Sequence, residues 1–220
     1  MDFYINILLM FACYVIGSIP TAYIFLKKKE NIDITKTGSK NVGARNLYEI
    51  TKSKQSGAIV LLIDLLKGAI PIILAIKLFD YHGFFLLIFG LALVFGHNYS
   101  CFIKFKGGRG LATAAGVIII IFPIALPVWL LLYFVISRLI SKNVHVASMA
   151  ATFGMSFFVI STPSVVIFYF LNTFHNVVVS YWEFVLFSFV LSLIIASKHI
   201  QPIIETFKTK ININQDTKNV

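Results

Sequence analysis

The chain has 220 residues, 58% of them hydrophobic and only 13% charged, with 19 Lys and Arg against 9 Asp and Glu for a formal charge of +10. Soluble domains average about 45–50% apolar and about 25% charged residues, so composition excludes an ordinary water-soluble fold and points to an all-α integral membrane protein. The positive excess lies in segments between apolar runs, where it favours the cytoplasmic side and anionic headgroups rather than a nucleic-acid partner.

The first apolar run, 4–25, has no basic leader and no small-residue cleavage site ahead of it, so a retained span is expected rather than a signal peptide. Within it, Gly17-Ser18-Ile19-Pro20 marks a kink whose freed carbonyl Ser18 or Thr21 can satisfy. The connection that follows, KKKENIDITKTGSKNVGARNLYEITKSKQS (27–56), is far longer than the ~2–8 residues of a simple helix link. It places the cations Lys36, Lys40 and Arg45 around the turn formers Gly38 and Gly43, with Ser39 and Asn41 as hydroxyl and amide donors. Alone, that pattern is a solvated basic loop. If residues 45–49 are helical, Arg45 and Glu49 are i,i+4 neighbours and can pair. Two consequences are open: the pair holds Arg45 toward a phosphate, or the Glu49 carboxylate repels it.

The second run, 57–79, contains Asp64 and Lys67 three residues apart, hence on one helical face. Ionisable groups inside a span are rare and usually paired or functional. An internal ion pair is expected here, with Gly68 permitting a close helix contact. A third run, 83–103, leads into GHNYSCFIKFKGGRGLATAAG (96–116), which holds His97, Lys104, Lys106 and Arg109 together with Gly107, Gly108 and Gly110. A glycine-rich turn feeding a helix at Leu111 can aim backbone N–H groups at an anion. Arg109 can grip a phosphate in bidentate fashion. The GxxxxGK[ST] spacing of a P-loop is absent, and a tight basic turn on the inner face is the simpler alternative.

Residues 111–137 could be one span, but Pro123 and Pro127 divide them. If the chain doubles back there, 17 of the 19 basic residues become cytoplasmic: eight in 27–56, three in 104–110, two in 138–143 and four in 198–220. The positive-inside bias therefore favours doubling back. Further runs at 146–174 and 177–197 complete a bundle of about seven helical segments, N-terminus outside and C-terminus cytoplasmic. Residues 1–205 form one membrane domain, and 206–220 form a polar, loosely ordered tail. Cys13 and Cys101 lie too far apart in sequence to suggest a disulfide framework, and no Cys/His metal motif is present. His97 and His199 sit at cytoplasmic ends of runs, where a histidine can serve as a base but is more often an ordinary hydrogen-bonding residue.

In order along nearly the whole chain, GSIPTAY (17–23), GSKNVGARN (38–46), DLLKG (64–68), GHNYSCFIKFKGGRGLAT (96–113) and KH (198–199) resemble the bacterial acyl-phosphate:glycerol-3-phosphate acyltransferases, small seven-helix membrane enzymes. The resemblance implies transfer of a fatty acyl group from acyl phosphate to the 1-hydroxyl of glycerol 3-phosphate. The products would be lysophosphatidic acid and phosphate, at the entry to phospholipid synthesis. It implies a bacterial cell-membrane enzyme working without metal or cofactor, with cytoplasmic active-site loops and a single chain as the working unit. Catalytic roles fall on Ser39, Arg109 and His199, and substrate contacts on Lys36, Gly38, Lys40, Asn41, Arg45, His97, Lys106, Gly107, Gly108 and Gly110. The chain departs from the family pattern at Thr35, Glu49 and Pro202, which stand for arginine, arginine and asparagine. It departs again at Lys40, which stands for glycine, and at Arg109, which stands for lysine. Those departures leave room for a relative that binds lipid or protein without turnover. A transporter of anionic solutes is disfavoured, because no internal repeat is visible and the charges gather at one face.

Overall fold

The computed structural model describes residues 3–175 and 179–216, and among them every regular element is a helix. In chain order these are α1 (Phe3–Ser18), α2 (Thr21–Glu30), α3 (Ala44–Thr51), α4 (Lys54–Phe79), α5 (Phe84–Asn98), a 3-10 turn (Cys101–Ile103), α6 (Leu111–Ile121), α7 (Ala125–Leu139), α8 (Val144–Ser161), α9 (Ser164–His175), α10 (Tyr181–Ser197) and α11 (Ile200–Asp216). Among the described residues, four stretches are long and apolar enough to cross a membrane: 3–30 through the break at Pro20, α4, 84–103 and α8. Taken together, α10 and the first part of α11 make a fifth, bent by 43°.

The break between α1 and α2 follows from Pro20, which has no N–H to donate and clashes with the preceding turn. The carbonyls at the break are satisfied both locally and from afar: Ile19 O accepts from Thr21 N at 3.0 Å and from Lys67 Nζ at 2.8 Å, and Ser18 O accepts from Ser100 Oγ. The Thr21 hydroxyl turns to Asp64, donating to Oδ1 at 2.9 Å. Asp64 and Lys67 form the expected buried pair at 2.8 Å. That pair ties the α1–α2 break to the middle of α4, because an unpaired charge at this depth would carry a large desolvation cost.

Small residues set the helix spacing. A Cβ on Gly17 would meet the Leu93 carbonyl at 2.1 Å, and one on Gly68 the Thr113 carbonyl at 2.2 Å. Thus α1 lies against α5 and α4 against α6 at backbone contact, as small-residue packing allows in lipid.

At residues 122–124 the chain does double back. His145, at the start of α8, lies within electrostatic reach of Arg109, just ahead of α6, whereas Trp129, near the start of α7, donates to Thr152 further along α8. Helix α7 therefore returns to the end where α6 begins, and the two are only about 16 and 22 Å long at 1.5 Å per residue.

Two expectations change. The 146–174 run is not one span: it breaks at Thr162-Pro163, with Thr162 extended (φ −86°, ψ 132°) as a residue before proline prefers. The tail boundary expected at 205 falls inside α11, which continues to Asp216. The expected start of the last run at Val177, and 217–220, lie outside the described residues.

The long 27–56 connection is structured. Ile34, Val42 and Leu47 are buried with Ala22, Leu26 and Val60 in a small satellite core. Each large side chain contributes about 1.5–3 kcal/mol by leaving water, which is what holds this polar segment against α2 and α4.

Candidate active site

The first basic loop is wound around one side chain. Asn46 is buried; its Oδ1 accepts from Ser39 N at 3.0 Å, and its Nδ2 donates to Thr37 O at 3.1 Å and Asn41 O at 2.9 Å. All three backbone partners lie in the turn 37–41, so Asn46 sets its shape. Asp33 braces the entry, accepting from Thr35 N at 3.0 Å and Thr35 Oγ1 at 2.7 Å. Those hydrogen bonds hold the Asp33 carboxyl below the usual carboxylate range, with Lys36 and Lys27 acting in the same direction.

The second loop folds over the end of α5. Gly108 N donates to His97 O at 3.0 Å, and a Cβ at Gly108 would fall 2.0 Å from His97 Nε2. No larger residue fits there. Gly110 adopts φ +81°, a left-handed conformation that glycine tolerates, and caps α6. Beneath it, Asn98 Nδ2 donates to Ile194 O at 2.9 Å, fastening α5 to α10. The two loops touch: Val42 N reaches Gly107 O at 3.5 Å.

This contact gathers a charged cluster from four separate segments. Arg45 and Glu49 pair on α3, Nε to Oε1 at 2.8 Å. Arg109 lies in the electrostatic neighbourhood of both: burial pushes its guanidinium below its ordinary value, Arg45 acts in the same direction and Glu49 opposes them. His199, at the elbow between α10 and α11, is buried beside Arg109. Its Nδ1 lies 3.0 Å from Ile195 O, an acceptor only, so Nδ1 carries the proton and Nε2 keeps its lone pair. The fifth member, His145, packs its ring edge-on against His199 at 5.6 Å. His145 Nδ1 is buried and has no hydrogen-bond partner among the described residues.

Below the cluster an apolar groove of about 110 Å³ runs between α6, α7, α8 and α10. Leu111 and Ile195 line it, and Phe122 and Phe184 lie at its far end. The hydroxyls along it are occupied: Ser156 and Ser192 bond each other at 2.8 Å, and Thr152 Oγ1 accepts from Trp129 and donates to Ser148 O. The groove thus presents hydrocarbon-like walls.

The residues singled out from the sequence separate into four groups. Arg45, Arg109, His199, Gly107, Gly108 and Gly110 come together where the two loops meet. Gly38, Ser39, Lys40 and Asn41 form the turn around Asn46, with Ser39 exposed and Lys40 at φ +58°. Lys36 is 81% exposed at its side chain and stands 3.9 Å from Asp33, and Lys106 is also exposed. His97 faces inward: it is buried, with Nδ1 3.7 Å from Asp64 Oδ1, beneath the glycine loop rather than on its outer surface. Sequence reasoning passed over His145, although it stands at the end of a run just as His97 and His199 do. It also passed over the roles of Asn46, which shapes the first loop, and Asn98, which fastens α5 to α10. Among the described residues no three His, Cys, Asp or Glu side chains are grouped as metal ligands would be.

The model of a family described as glycerol-3-phosphate acyltransferase matches residues 7–209. A glycerol-3-phosphate acyltransferase of Fusobacterium nucleatum is 39% identical over 149 residues, 68% of this chain and 75% of that protein. One from Syntrophotalea carbinolica is 40% identical over 124 residues, 56% of this chain and 61% of that protein. Crystal structures of PlsY (YgiH), an integral membrane glycerol 3-phosphate acyltransferase, superpose with TM-scores of 0.72 for the glycerol 3-phosphate form and 0.70 for the lysophosphatidic acid form. They share 30% and 29% identity with this chain and cover 93% of it, with 92% of the crystallised chain matched in each case.

Proposed function

The chain belongs to the glycerol-3-phosphate acyltransferase family, and from that premise we propose that it acylates the 1-hydroxyl of glycerol 3-phosphate with an acyl phosphate as donor. It is a membrane enzyme of phospholipid synthesis. The observation that carries the reading is the placement of Arg109, Arg45 and His199 over the mouth of an apolar groove. Both substrates suit that arrangement, because each carries a phosphate and one also carries a hydrocarbon chain.

In the proposed reaction, Arg109 and the N–H groups at the start of α6 hold phosphate, where a half-buried cation and a helix N-terminus reinforce each other. His199 Nε2 accepts the proton of the 1-hydroxyl as its oxygen attacks the acyl carbonyl carbon. The new ester C–O bond forms, the bond from that carbon to the phosphate oxygen breaks, and phosphate departs with the electron pair. The proton then leaves His199 for the departing phosphate or water. Arg109 stabilises the charge that develops on the carbonyl and on the leaving phosphate. Ser39, Lys40 and Asn41 contact the acceptor from the turn around Asn46, with Lys36 and Lys106 as outer cations that attract it. His97 supports the glycine loop from below. The chain acts as a monomer in a bacterial cell membrane, with these loops and the C-terminus on the cytoplasmic side, in keeping with the distribution of its basic residues.

The test is donor discrimination with purified protein in detergent micelles. Lysophosphatidic acid should form from palmitoyl phosphate and glycerol 3-phosphate and not from palmitoyl-CoA. Equal or better use of the CoA thioester would overturn the choice of donor.

A further inference from the structure

The groove beneath the cluster has a floor as well as walls. Phe122, at the end of α6, and Phe184, near the start of α10, are both 1% exposed and meet edge to face with ring centroids 5.0 Å apart. Phe170 packs on Phe122 at 6.1 Å and Phe187 on Phe184 at 5.9 Å, so the pair is buttressed from both sides. Resting on the acyltransfer reading above, we propose that the Phe122–Phe184 pair sets the length of acyl chain that this enzyme accepts.

The length follows from two helices that measure it independently. On α6 the groove runs from Leu111 to Phe122, and on α10 from Ile195 to Phe184. Each interval is about 16 Å at 1.5 Å per residue. The mouth is fixed to the chemistry on both sides: Leu111 follows Arg109 by two residues, and Ile195 is the residue whose carbonyl holds His199. A saturated chain built from ~1.5 Å carbon–carbon bonds advances about 1.25 Å per methylene. About 13 methylenes therefore fill the groove, and the carbonyl end lies above the mouth, beside Arg109. Chains of about 14–16 carbons fit fully extended, whereas longer ones meet the aromatic floor and must bend. Each methylene that enters favours binding by about fourfold, and a methylene that does not fit a pocket costs about tenfold or more in kcat/KM.

Two opposed substitutions test this in the full-length protein. Phe184→Leu removes part of the floor while keeping an apolar side chain. Ala115→Leu narrows the middle of the groove, which Ala115 lines. Rates are measured with saturated acyl phosphates of 10 to 20 carbons at fixed glycerol 3-phosphate. Wild-type kcat/KM should rise to about 14–16 carbons and then fall. Phe184→Leu should raise the ratio of the 18-carbon to the 14-carbon donor by about tenfold, and Ala115→Leu should move the optimum to shorter chains by about two to four carbons. Normal turnover with an unchanged length profile in both variants would overturn the inference and leave the acyltransfer reading intact. Failure of the wild type to acylate glycerol 3-phosphate from any donor would overturn both.

Discussion

Glu49→Ala separates two effects that the Arg45–Glu49 pair combines. The pair is short, at 2.8 Å, but exposed, with 54% of the Arg45 and 41% of the Glu49 side chain open to solvent. An exposed i,i+4 ion pair contributes about 0.3–0.5 kcal/mol, so releasing Arg45 can weaken acceptor binding by no more than about twofold. Against that stands the charge of Glu49 itself. A phosphate dianion about 8 Å from this carboxylate, in water-like surroundings, feels about 1 kcal/mol of repulsion. Removing the carboxylate should therefore win, lowering KM for glycerol 3-phosphate by about two- to threefold with kcat unchanged, the pattern of a purely binding effect. Arg45→Ala should act in the opposite sense and raise KM by about fivefold. Both shifts should shrink as salt rises from low to physiological strength, because exposed charges are screened within about 8 Å there. Initial rates at varied acceptor and two ionic strengths measure all of this. A several-fold rise in KM for Glu49→Ala would show that anchoring Arg45 outweighs repulsion. No change in either variant would place α3 outside the site.

Arg109→Ala should lower kcat/KM by about 10²–10³, the loss of a charge-assisted contact worth about 2–4 kcal/mol in the transition state, while Arg109→Lys should keep much of the rate; a fully active alanine variant would remove the glycine loop from the chemistry. The edge-on contact of His145 with His199, worth about 0.5–1.5 kcal/mol, makes His145→Ala about tenfold slower in kcat and His145→Phe nearly normal. Equal loss in the two variants would mean that a ring nitrogen of His145, rather than its shape, is needed. Asp64→Ala leaves Lys67 buried without its partner and should cost about 3–5 kcal/mol of stability, seen as a large drop in melting temperature in detergent. An unchanged melting temperature would contradict the role given to the pair.

Much of the architecture could be read from residue chemistry. Pro123 and the distribution of cations gave the doubling back of α6 and α7. The three-residue spacing of Asp64 and Lys67 gave the buried pair, and the spacing of Arg45 and Glu49 gave a contact that needed only a helical turn. What could not be read was direction. The spans are apolar nearly all round, so periodicity does not say which face turns inward. Only the packed structure shows His97 turned toward Asp64 while His199 and His145 lie together within electrostatic reach of Arg109. The carbonyls freed at Pro20 found partners in Lys67 and Ser100, residues 48 and 82 positions away along the chain. Local sequence offers no signal for contacts of that range. The break at Pro163 was legible only in part, since a proline in an apolar run ends the helix at Pro20 and Pro163 but lies inside the unbroken α4 at Pro71.

The most direct measurement follows both halves of the reaction at once: purified protein receives acyl phosphate labelled in its phosphate, with and without glycerol 3-phosphate, and released phosphate is compared with lysophosphatidic acid formed. Transfer at the Arg109–His199 site predicts one phosphate per lysophosphatidic acid, with release dependent on the acceptor and lost together with product in Arg109→Ala. Phosphate release that proceeds equally without glycerol 3-phosphate, or product formed with no phosphate released, would contradict it.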